Sequence, residues 1–168
     1  MGQTALANAK PNKMALSISI PNLILGEVSL KYEYPILPFL TLTVPANIQS
    51  TQLLFLPLEA IGFFRSFGDG LFPNLTITTG IGARLHHAGW YIEPMLELGY
   101  VRIDYSLPTG PEHLMMAKPK LLVGYYTIFS SGLYLNVGIG IAGRLFYPTN
   151  KTASIIRPDS ILALGYAW

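Results

Sequence analysis

Leu133-Tyr134-Leu135-Asn136-Val137-Gly138-Ile139-Gly140-Ile141-Ala142-Gly143-Arg144-Leu145-Phe146-Tyr147 alternates, residue by residue, between two kinds of side chain. One face reads Leu133, Leu135, Val137, Ile139, Ile141, Gly143, Leu145 and Tyr147. The other reads Tyr134, Asn136, Gly138, Gly140, Ala142, Arg144 and Phe146. A period of two is the mark of an extended strand, because successive Cβ atoms point to opposite sides. The first face is greasy enough for lipid. The second is mostly small and polar, as a barrel lumen requires.

The same split recurs along the chain. Leu75, Ile77, Ile81, Ala83 and Leu85 alternate with Thr76, Thr78, Gly80, Gly82 and Arg84. Val28, Leu30, Tyr32 and Tyr34 alternate with Glu27, Ser29, Lys31 and Glu33. Ile92, Pro94, Leu96 and Leu98 face away from Glu93, Met95, Glu97 and Gly99; beyond Gly99-Tyr100 the pattern changes phase, and a β-bulge there explains the change. Eight strands are expected near 13–21, 26–34, 39–49, 74–86, 89–106, 119–129, 132–147 and 160–168. Pro35–Pro38, His87-Ala88 and Ser130-Ser131 form short turns. The regions 50–73, 107–118 and 148–159 form longer loops, and Asn22–Leu25 is a short apolar connection. The expected fold is all-β: an eight-stranded antiparallel up-and-down transmembrane β-barrel over 13–168, preceded by a flexible segment 1–12.

Composition agrees with that reading. The chain has 168 residues, 51% hydrophobic and only 12% charged, about half the usual charged share. Its mean hydropathy is +0.40. The greasiest run, Leu53 to Phe64, contains Pro57 and Glu59 and falls well short of the roughly 20 apolar residues of a spanning helix. The absence of cysteine excludes disulfides and thiolate metal sites. A net charge of +2 gives no case for nucleic acid. Met1 to Asn12 lacks the apolar core of a secretory leader. The simplest reading is a mature form with an initiator Met supplied.

The chain ends Ile161-Leu162-Ala163-Leu164-Gly165-Tyr166-Ala167-Trp168. Leu162, Leu164, Tyr166 and Trp168 share one face. Termini of soluble proteins tend to fray into water, so an aromatic terminus on a greasy strand face is unusual there. This ending resembles the C-terminal assembly signal of bacterial outer-membrane proteins. Leu23–Tyr34, with Gly26 and Ser29-Leu30-Lys31-Tyr32-Glu33, resembles the early hairpin of small outer-membrane barrel families of uncharacterised function. Gly124-Tyr125, Gly132-Leu133-Tyr134-Leu135 and Gly138-Ile139-Gly140 resemble their late hairpin. The resemblance implies an eight-stranded barrel integral to a bacterial outer membrane, with both termini periplasmic. Its partners would be outer-membrane lipid and, through the last strand, the assembly machinery. Aromatic girdles are expected from Tyr32, Tyr34, Phe39, Trp90, Tyr91, Phe129 and Trp168 at the periplasmic ends and from Tyr105 and Tyr147 at the outer ends.

Chemistry is harder to find. Glu27, Lys31, Glu33, Arg84, Glu93, Glu97 and Arg144 all take the lumen register, where buried charges must pair. A lumen charge network that plugs the barrel is therefore expected. Glu93 and Glu97 are roughly 13 Å apart along a strand, too far to share a proton. His86 and His87, placed in a turn, point to opposite faces and make a poor chelating pair; no metal or cofactor is expected. A lipid-modifying enzyme would draw its nucleophile from Ser50, Ser66, Ser106, Ser154 or Ser160, with His113 as base. No Gly-x-Ser-x-Gly elbow is present, so a catalytic role is not expected. The small lumen residues leave room for a hydrophobic molecule or lipid unless Tyr126, Tyr134, Phe146, Met95 and Leu122 fill it. A soluble calycin-like carrier would carry the greasy face inward. Leu54, Phe55, Leu58, Phe63, Phe64 and Phe67 make the 50–73 loop unusually apolar, a candidate surface for a hydrophobic ligand or protein partner. The leading expectation is a structural or interaction barrel without a general pore.

Overall fold

The computed structural model describes residues 13–20, 22, 27–50, 75–103, 112–147 and 155–168. Eight strands follow in chain order: β1 Ala15–Ser19, β2 Glu27–Leu37, β3 Leu40–Ser50, β4 Leu75–His87, β5 Trp90–Ile103, β6 Glu112–Ile128, β7 Leu133–Tyr147 and β8 Ile155–Ala167. Each pairs antiparallel with its successor, and β8 returns to β1, setting Ala15 opposite Ala167 and Ser19 opposite Ala163. The result is a closed up-and-down barrel. The short turns and the ends of β1 and β8 lie at one end, the turn end. The connections after β1, β3, β5 and β7 leave from the other, the loop end.

Alternation sets the register. In β7 the Leu133 face is exposed, Ile139 by 73%, while Tyr134 and Asn136 are almost fully buried. A one-residue slip would turn the ionic residues outward and the greasy ones into the lumen. The β4–β5 turn consists of Ala88 and Gly89, both at positive φ (50° and 86°). Two consecutive left-handed residues match the strand twist of a tight hairpin, and glycine takes that conformation without a Cβ penalty.

Several boundaries differ from the sequence expectation. β6 begins at Glu112 and β8 at Ile155, so 112–118 and 155–159 are strand rather than loop. Pro119 and Pro158 interrupt those runs and mimic loop signals, yet both take exposed outward positions within strands. β2 continues through Pro35 to Leu37, with a register irregularity between them, and the turn is Pro38-Phe39. His86 and His87 belong to β4, not to a turn. The bulge expected at Gly99-Tyr100 is not there: pairing runs unbroken from Trp90↔Tyr125 to Ile103↔Glu112. Val101 instead continues the inward series and packs with Leu114 and Met116 inside the barrel, against the half-buried Phe146. The hydrophobicity changes phase while the backbone does not. Tyr91, expected in a girdle, also has inward parity and is buried.

Toward the turn end, Tyr91, Met95, Leu122, Tyr126 and Tyr134 pack together in the lumen with Ala15 and Ala167. Gly124 and Gly138 make room for this cluster. A Cβ on either would strike the Tyr91 hydroxyl.

Candidate functional site

The lumen holds two ionic clusters, both built by inward alternation. The first joins β2 to β5 and β7. Arg84 lies between two carboxylates, with Nη1 2.7 Å from Glu33 Oε2 and Nη2 2.9 Å from Glu93 Oε2. Lys31 Nζ lies 2.6 Å from Glu93 Oε1, which also accepts the Thr43 hydroxyl at 2.8 Å. The Tyr134 hydroxyl donates to Glu33 Oε1 at 2.9 Å and accepts from Arg84 Nη1 at 2.7 Å. The guanidinium also stands 4.4 Å from the centre of the Tyr91 ring, a cation–π contact. Arg84 is 1% exposed and Glu93 fully buried. Two cations and two carboxylates balance, and the protein supplies the hydrogen bonds that burial requires.

The second cluster joins β5, β6 and β8. Lys120 Nζ lies 2.6 Å from Glu97 Oε1 and 3.5 Å from Asp159 Oδ2; Lys118 Nζ lies 3.9 Å from Glu97 Oε2. A polar relay runs beside it, from the Ser29 hydroxyl to Asn47 Oδ1 at 2.6 Å, then from Asn47 Nδ2 to the Thr78 hydroxyl at 2.9 Å. Between the clusters is a small cavity of about 40 Å³ with a mixed lining, polar from Ser17, Ser19, Lys31, Asn47, Glu97 and Lys120 and apolar from Met95 and Leu122. The buried hydroxyls of Ser17 and Ser19 have no hydrogen-bond partner among the described residues. The volume has room for about three water molecules at 10–15 Å³ each. At that volume it is too small for an acyl chain.

The expected charge network thus divides. Lys31, Glu33, Arg84 and Glu93 meet in one cluster, while Glu97 belongs to the other. Glu27 accepts from Asn22 Nδ2 at 3.0 Å, and Arg144 is half-buried on β7 toward the loop end. Sequence reasoning missed Lys118, Lys120 and Asp159 as members. Lys118 and Asp159 fell in expected loops. Lys120 shares the face of Leu122 and Tyr126, a parity signal that was available.

Of the other candidates, His86 is buried, with Nε2 3.1 Å from the Thr41 hydroxyl and Nδ1 3.1 Å from that of Tyr126. His113 is exposed on the outer face of β6 and hydrogen-bonds through Nδ1 with the Tyr100 hydroxyl. Ser50 and Ser160 lie on β3 and β8, away from it; Ser66, Ser106 and Ser154 lie outside the described residues. So do Leu54, Phe55, Leu58, Phe63, Phe64 and Phe67 of the apolar loop. Among the described residues no three His, Asp or Glu side chains converge as a metal-ligand set. Leu162, Leu164, Tyr166 and Trp168 all face outward, and the Trp168 amide donates to Met14 O at 3.0 Å across the β1–β8 seam.

Compared with protein-family models, curated proteins and solved structures, the chain matches none. The fold and the lumen chemistry therefore carry the functional reading alone.

Proposed function

We propose that this chain is an integral β-barrel of a bacterial outer membrane with a structural or interaction role, and that its narrow lumen is plugged by its own side chains and is no general pore. One observation carries the reading: burial is inverted. The outer face exposes Leu, Ile, Val, Phe, Tyr and Trp side chains on every strand, while Arg, Lys, Glu and Asn fill the interior. A water-soluble carrier would need the opposite arrangement, and that much contiguous apolar surface is unfavourable in water. In lipid it is the arrangement a spanning barrel requires.

The dimensions support the same reading. From Trp90 to Arg102 on β5 is about 40 Å along the strand, which a tilt of about 45° reduces to about 30 Å of height. That is close to a bilayer's hydrocarbon thickness. Trp90, Tyr125, Phe129, Tyr166 and Trp168 are exposed at the turn end, where an aromatic girdle would sit. Short turns and both strand termini at that end suit a periplasmic location. The greasy face of β8 would then meet the assembly machinery during insertion and outer-membrane lipid afterwards.

The test is extraction and gel migration. Membranes expressing the chain should release it only into detergent, and unheated samples should migrate differently from boiled ones on a denaturing gel. Release into buffer as a soluble monomer would overturn the proposal.

A further inference from the structure

Arg102 stands apart from the other charged strand residues whose side chains are described. Lys31, Glu33, Arg84, Glu93, Glu97, Lys118, Lys120, Arg157 and Asp159 all have inward parity, as do Glu27 and Arg144. Among the described strand side chains, Arg102 is the one formal charge on the outer face, and it is exposed. Directly across the β5–β6 pairing lies His113, also exposed. One step toward the turn end on the same face is Tyr100, whose hydroxyl bonds His113 Nδ1. The Tyr100 and His113 rings lie 5.8 Å apart, tilted by 30°. Below them the surface is apolar: Ile77, Leu98, Met115 and Tyr147 are all exposed.

We propose that Arg102 and His113, with His113 held by Tyr100, bind the phosphate headgroup of an anionic lipid whose acyl chains lie on the apolar surface below. The proposal rests on the membrane reading above and specifies one lipid contact within it. The chemistry is complementary. An exposed guanidinium offers five donors in a fork that fits phosphate, and Arg102 keeps contacts of its own within the protein while remaining exposed. When the Tyr100 hydroxyl donates to Nδ1, the neutral ring carries its proton on Nε2, which is the donor left for a ligand. An arginine on the lipid face costs about 2–4 kcal/mol at the bilayer midplane and close to nothing at the interface. Its place at the last described turn of the apolar band puts it at headgroup depth. No acidic side chain shares the outer face among the described residues, so the charge complement fits an anion and repels no headgroup.

The experiment uses the full chain in detergent micelles, titrated with dioleoyl phosphatidate or dioleoyl phosphatidylcholine and read by native mass spectrometry as lipid retained per barrel. The wild type should retain phosphatidate about fivefold more strongly, and Arg102→Gln and His113→Gln should each reduce that preference. Lys13→Gln, near the opposite end, should leave it unchanged. Millimolar inorganic phosphate should not displace the lipid, because the acyl chains contribute to binding. Equal retention of the two lipids, or an unchanged preference in Arg102→Gln, overturns the site. Full displacement by inorganic phosphate also overturns it, in favour of an anion site without lipid. A chain that is heat-modifiable and needs detergent, yet shows no preference, loses only this site. A chain soluble without detergent loses the membrane reading itself.

Discussion

Arg84 and Glu93, nine residues apart on β4 and β5, meet through two N–H donors on one oxygen: Nε at 3.0 Å and Nη2 at 2.9 Å from Glu93 Oε2. The same guanidinium reaches Glu33 on β2, on the far side of β3. One side chain therefore ties together strands that the backbone ladder does not pair. Replacing Arg84 with Met keeps much of the volume but leaves two buried carboxylates with only Lys31 to balance them. Breaking a buried pair in this way costs about 3–5 kcal/mol. Equilibrium urea unfolding in detergent should show a loss of that size, and a loss below about 1 kcal/mol, the range of exposed pairs, would sink the keystone role.

Tyr91 and Gly138 should be coupled. The Tyr91 hydroxyl donates to Asn136 Oδ1 at 2.8 Å, and it is the nearest atom that a Cβ at Gly138 would meet. Tyr91→Phe alone should cost about 1–2 kcal/mol, because it strands a buried amide. Gly138→Ala alone should cost more than an ordinary strand substitution, since the added methyl has no space. Together they should cost less than their sum, because removing the oxygen opens the space the methyl needs. A double-mutant cycle by urea unfolding measures this, and strict additivity would exclude the packing argument.

How much of this was legible in the sequence follows from particular residues. Period-two alternation located β3, β4 and β7 to within a residue or two, because inward and outward positions alternate along each of them with matching polarity. It failed where polarity and position part company. Val101 is apolar yet faces inward, so it looked like a change of phase, and its inward partners Leu114 and Met116 fell in an expected loop. Pro158 looked like a loop residue because proline lacks an amide donor, and Pro119 marked the start of a strand that in fact begins at Glu112. The inward parity of Glu33, Arg84 and Glu93 was readable, but their convergence was not, since it depends on how β2, β4 and β5 stagger around the barrel. Lys118 and Asp159 were lost with the strand boundaries.

The barrel should also be nearly impermeable to ions. The Arg84 cluster crosses the lumen with side chains from five strands, β2 to β5 and β7, and the cavity beside it is about 40 Å³. Reconstituted wild-type protein should give no stable conductance in a planar bilayer. Arg84→Ala with Tyr134→Ala removes the two largest fully buried side chains among the described residues and should give small, frequent openings. Stable conductance in the wild type would rule out the plug.

The last prediction concerns Trp168, one of two tryptophans in the chain. Its amide closes the seam to Met14, but its ring faces outward beside Tyr166 and Leu164. Backbone and side chain therefore have separable roles. Trp168→Ala keeps the amide bond and removes only the aromatic ring, whereas deletion removes both. If the ring acts at the membrane interface during assembly, Trp168→Ala should lower the yield of inserted, heat-modifiable protein in cells. The urea midpoint of the molecules that do fold should move little, because the residue is half exposed in the folded state (50%). Deletion should lower both yield and midpoint, since one seam hydrogen bond is lost, about 1 kcal/mol. Normal insertion of Trp168→Ala alongside a lowered midpoint would make the residue a packing element and remove the assembly role.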